Sequence, residues 1–123
     1  MGKGGFRELR VWQRSKELAV AIYKATEEGR LARDFGLRDQ MRRASVSVCS
    51  NVAEGDERDT DKDAVRFFYM AKGSLAELIT QLEIASEIGY LDSDTMLHFD
   101  EECREIGKML GALIKARGKK IRQ

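Results

Sequence analysis

Proline is absent from this chain of 123 residues, so no position is barred from a helix interior by a missing N–H or a ring clash. Two cysteines are too few for a disulfide framework, and Cys49 and Cys103 both fall inside helical patterns, as reduced core thiols do. The single histidine, His98, cannot complete the glutamate and Glu-x-x-His set of a di-iron bundle. Asp94, His98 and Glu102 read better as a solvated helix face than as metal ligands. Neither thiol has a histidine near it in sequence to activate it as a nucleophile. Gly73, Gly107 and Gly111 lie in helical patterns with no strand before them, which points to close helix contacts rather than a phosphate loop. No apolar run approaches the ~18 residues of a membrane span. Residues 1–5 carry no apolar signal segment, so the expected setting is the cytoplasm. These absences predict a protein that is not an enzyme and uses no cofactor.

What is present favours helices around one core. The length fits a single domain, residues 1–123, with a short arm at 1–8 and a basic tail at 116–123. Apolar residues make up 42% and charged residues 35%, a mixture that at helical period gives solvated faces. The net charge of +1 conceals a dipolar layout. Residues 1–58 carry 12 basic and 9 acidic groups, residues 59–105 carry 4 and 12, and residues 106–123 carry 6 and none. A chain so divided can turn a basic surface toward nucleic acid while remaining nearly neutral.

Four amphipathic helices follow from the spacing of apolar positions. In the first, Leu9, Trp12, Ser15, Ala19, Ile22, Tyr23 and Thr26 share a face, Gly29 stops the helix, and residues 30–35 form a polar connection. The second, over residues 36–55, keeps a thin side of alanines, serines and Cys49 that admits a neighbouring backbone, and it carries Arg38 and Arg42 four apart. The third, from about 61 to 88, has a seam of Phe68, Ala71, Leu75, Leu78, Leu82 and Ala85, with Thr60 and Asp63 as a capping pair. Its extra apolar residues Val65, Ile79, Ile84 and Ile88 widen the stripe beyond one partner. Gly89 supplies a left-handed stop, Asp92 or Ser93 caps the next segment, and Met96, Phe99, Cys103, Ile106, Leu110 and Leu113 form the fourth. The fold class is therefore all-α, an antiparallel up-down-up-down four-helix bundle. Glu77 and Gln81 are either a solvated flank or a buried contact with Asn51 or Arg43 that fixes register.

Two basic sets are candidates for nucleic-acid binding, because phosphate recognition needs clustered cations and little else. One is Arg10, Arg14, Arg38, Arg42 and Arg43, with Arg7 beside them. The other is Lys115, Arg117, Lys119, Lys120 and Arg122, uninterrupted by acids. The competing account is a set of solvated or locally paired helix residues, such as Asp39 with Arg43.

The ordered set of Trp12, Gln13, Gly36, Leu37, Gln40, Arg42, Arg43, Ser50, Asn51, Glu54, Gly55, Gly73, Glu77, Gln81, Gly89 and Tyr90 resembles a known bacterial family. Its members are four-helix-bundle proteins encoded in intervening sequences of large-subunit ribosomal RNA genes, similar to the accessory variability-determinant proteins of diversity-generating retroelements. The resemblance implies a homopentamer of non-catalytic protomers with a basic surface suited to nucleic acid, for which structured RNA is one candidate. It makes RNA, DNA or a partner protein such as a reverse transcriptase the expected partners, with no membrane. A protein-interaction scaffold that never touches nucleic acid is the alternative. Cys49 stands where the family usually has proline, and residues 56–63 are acidic where relatives are often basic.

Overall fold

The structure, a computed structural model, describes residues 4–121, all of whose long elements are helices. After a 3-10 turn at Gly5–Glu8 come α1 (Arg10–Ala25), α2 (Gly29–Arg33), α3 (Phe35–Asp56), α4 (Asp61–Glu87) and α5 (Ser93–Ile121). Consecutive long helices pack on one another and α1 closes back onto α5, which makes the up-down-up-down four-helix bundle.

Local chemistry sets each boundary. The Asp34 carboxylate accepts from the Leu37 N–H at 3.2 Å, Thr60 Oγ1 from Asp63 at 3.1 Å, and Asp92 from Thr95 at 2.7 Å. Beyond α4, Gly89 takes φ +84. This lets Tyr90 N–H reach Ala85 O at 2.8 Å and Gly89 N–H reach Ser86 O at 3.0 Å, a Schellman stop.

The α4 seam is buried along its whole length, and Phe68, Ala71, Leu78, Leu82 and Ala85 have no exposed area. Opposite Phe68, α3 carries Gly55, where an added Cβ would lie 2.5 Å from the ring. Glycine is what allows the two helices to close there.

Two expectations are corrected. Residues 30–35 hold a short helix, because Leu31 is buried and anchors a turn that a purely polar connection would lack. The buried face of α1 is broader than expected: Val11 and Leu18 join Ser15, Ala19, Ile22 and Thr26 in the core, while Tyr23 is exposed. The cause is that α1 packs on both α3 and α5 and so needs a wider stripe. The basic stretch from 116 continues α5 as helix to Ile121. In the arm, the turn at Gly5–Glu8 brings Phe6 edge-on to Trp12 with ring centroids 5.1 Å apart. Among the described residues, no helix is long and apolar enough to cross a membrane.

Candidate nucleic-acid interface

The arginines between α1, α3 and α5 are mostly engaged inside the protomer. Arg14 forks onto Glu102 across the α1–α5 contact, with Nε at 3.2 Å and Nη2 at 2.8 Å. That carboxylate holds the guanidinium above its usual range. Arg38 donates to Asp39 at 3.0 Å and to the Ala32 carbonyl at 3.0 Å, and lies over the Phe35 ring. Arg42 Nε donates to Thr26 Oγ1 at 2.8 Å, with the guanidinium 4.7 Å above Tyr23, so it straps α3 to the end of α1. Arg10 and Arg43 are exposed and form no ion pair among the described residues.

The second set divides. Arg117 turns away from solvent to Asp61 and lies 4.0 Å from Asp56, whose side chain is buried. Lys120 borders a hollow with Asp56, Glu57, Asp59 and Asp61. Lys115 and Lys119 instead line a groove of about 510 Å³ between α4 and α5, and across it stand Tyr69 and Lys72 of α4. The floor is Val65, Ile114 and two glycines, and no acidic residue contributes to the lining. Arg122 lies outside the described residues. Sequence reasoning missed Lys72 and Tyr69 because Lys72 sits in the acid-rich middle of the chain, where no run of cations advertises it.

The acidic loop is neutralised only in part, since Glu57 and Asp59 enter no ion pair among the described residues. Arg58 pairs with Glu54 at 3.1 Å and stacks over Phe67, while Arg66 meets Asp63 at 3.4 Å. Arg117 takes up Asp56 and Asp61 from the other side.

A separate polar cleft between α3 and α4 gathers Asp39, Gln40, Arg43, Ser47, Glu77 and Gln81. Gln81 is 9% exposed and its Oε1 has no partner. The register contact expected of it is made by other residues: the Ser74 hydroxyl donates to Ser47 Oγ at 2.9 Å, and Asn51 donates to Ser47 within α3.

The glycines also depart from expectation. A Cβ at Gly107 would meet Leu75 at an ordinary 3.7 Å, and at Gly73 or Gly111 it would meet nothing within 4 Å, so no helix of the protomer requires them to be bare. Burial pushes the Cys103 thiol up to about 12 and the half-buried Cys49 thiol upward too, which leaves both as poor nucleophiles. Glu102 is held by Arg14, and among the described residues no three His, Cys, Asp or Glu side chains gather as metal ligands would.

A family model described as 23S rRNA-intervening sequence protein matches residues 7–112. The chain belongs to this family. Within the 23S rRNA-intervening sequence proteins, the match takes in the arginine set and the α3–α4 cleft, while Lys115, Lys119 and Lys120 lie beyond it. Among solved structures, a protein of unknown function from the S23 ribosomal protein family of Bacteroides thetaiotaomicron is similar in fold. It shares 24% identity at a TM-score of 0.79, covering 85% of this chain and 98% of the other. No curated protein matches the sequence.

Proposed function

We propose that this member of the rRNA intervening-sequence family is a non-catalytic bundle that assembles with copies of itself and binds nucleic acid, with structured RNA as a candidate ligand. The observation that carries the binding is the α4–α5 groove, where Lys72, Lys115 and Lys119 face one opening with no carboxylate in the lining. Unneutralised ammonium groups in a cluster are what a phosphate backbone requires.

Assembly rests on a different face. Gln81, Ile84 and Ile88 share one side of α4, the two isoleucines being 47% and 48% exposed beside the orphaned Gln81 oxygen. Exposed apolar side chains next to an unmet buried acceptor favour a protein neighbour. The family resemblance makes five the expected number of copies. The same exposed residues favour the second reading, a scaffold that docks a partner protein such as a reverse transcriptase without touching nucleic acid.

Salt separates the readings. Fluorescence anisotropy with labelled RNA should give tight binding at ~50 mM salt that falls by powers of ten toward ~200 mM, as phosphate contacts do. Light scattering on the same samples should give a mass near five times 14.0 kDa. Absence of RNA and DNA binding at low salt would leave the scaffold reading. A concentration-independent monomer would remove the assembly.

A further inference from the structure

The α4–α5 groove holds more than lysines. Tyr69 is 55% exposed at its edge, and among the described residues no ring or cation stacks on it. Ile114 provides an apolar surface across from it. Gly111 and Gly118 leave the floor bare: a Cβ at either would meet nothing within 4 Å. Glycine is unfavourable inside a helix, and the fold gains no close contact from these two. The open space they leave is thus available to something outside the protomer.

The charge of the rim says what that is. Lys72, Lys115 and Lys119 enter none of the ion pairs among the described residues. A two-fold pairing of this face with itself would double the ammonium groups and repel, and the contact between copies is assigned above to the Ile84 and Ile88 side of α4. A polyanion is attracted. Cations along a groove combined with an exposed aromatic ring are the recurrent arrangement for an unpaired strand, because a free base can stack while its phosphates run past the lysines. A duplex keeps its base faces stacked inside and has no use for Tyr69.

We propose that the α4–α5 groove seats a single-stranded stretch of nucleic acid, with phosphates on Lys72, Lys115 and Lys119 and one unpaired base stacked on Tyr69. This rests on the nucleic-acid reading above and adds the form of the ligand and its contacts.

The test uses the full chain, a fluorescein-labelled oligouridylate, and a blunt RNA duplex of equal length. The strand binds more tightly than the duplex. Tyr69→Ala weakens strand binding roughly tenfold, the scale of one stacked base, without changing the salt slope. Tyr69→Phe keeps the ring and the affinity. Replacing Lys72, Lys115 and Lys119 together with alanine lowers the log–log salt slope by about two units, at ~0.7 per phosphate for a single strand. Gly111→Leu fills the floor and blocks the strand. Because the replaced tyrosine and lysines are exposed and a side chain at Gly111 meets no clash, circular dichroism stays at wild-type values and no variant lowers the unfolding midpoint markedly, Gly111→Leu raising it if anything, which serves as the folding control. Strand binding that ignores both Tyr69→Ala and Gly111→Leu overturns the groove while leaving nucleic-acid binding intact. Equal affinity for strand and duplex overturns the single-stranded form. Failure of both probes to bind at ~50 mM salt overturns the parent reading and this one together.

Discussion

Arg14, Arg38 and Arg42 each hold a carboxylate, a carbonyl or an aromatic ring of the bundle, whereas Lys72, Lys115 and Lys119 stand round an open groove with no acid in its lining. The two regions carry charge of the same sign, and the type of cation divides their work. A guanidinium presents a planar fork that fixes two partners at once and stacks on rings, so it suits contacts between helices. An ammonium group is compact and strongly hydrated, and stays in water unless something anionic arrives. The fields of the arginines are largely consumed inside the fold. Those of the lysines remain for a ligand.

Arg117 breaks the pattern by position and keeps it by type, which makes it the sharpest place to strike. It lies between Lys115 and Lys119 in sequence but serves Asp56 and Asp61, and Asp56 is 7% exposed with Oδ2 unpartnered. Arg117→Ala leaves that carboxylate without a counter-charge and should cost about 2–3 kcal/mol, below the full range for a buried pair because Arg117 and Asp61 keep some solvent. Urea unfolding measures it. Adding Asp56→Asn should restore part of the loss by removing the stranded charge. A cost under about 0.5 kcal/mol, the level of an ordinary surface change, would mean that Arg117 belongs with the lysines.

This residue also explains what could be read in the sequence. Helix positions were legible because their signals are local: Thr60 with Asp63, Gly89 ahead of Tyr90, and the three-and-four spacing of the α4 seam. The α2 helix was hidden because five residues are too few to show a period. The candidate site was legible as charge and illegible as availability. The partner of Arg14 is 88 positions away, and that of Arg117 is 56 away. Only the fold brings such groups together. The same distance hid the groove, since Lys72 and Tyr69 reach Lys115 and Lys119 solely through the packing of α4 on α5.

Arg42 offers the second, smaller test. Arg42→Ala removes a hydrogen bond to Thr26 and the stacking on Tyr23, but Thr26 Oγ1 still donates to Ile22 O, so no buried group is orphaned. The expected cost is about 1 kcal/mol. Arg42→Lys should recover little of it, because an ammonium group cannot reproduce the planar contact. The RNA salt slope should stay unchanged. A slope reduced by about one unit at full stability would place Arg42 on phosphate and dissolve the contrast between the two regions.

The finest test lies within the lysines themselves, between neighbours in sequence. Lys119 lines the α4–α5 groove, and Lys120 borders the hollow with Asp56, Glu57, Asp59 and Asp61. If availability and not position in a basic run decides who meets phosphate, the two are not interchangeable. Lys119→Ala should reduce the salt slope by ~0.7 and weaken the strand several-fold. For Lys120→Ala the slope should stay within experimental error, because Glu57 and Asp59 in the same hollow, which enter no ion pair among the described residues, oppose its field. Both side chains are exposed, so each variant should unfold within ~0.5 kcal/mol of wild type. Equal slopes for the two variants would show that the helix end acts as an undivided basic stretch, and the groove would lose its claim to be the site.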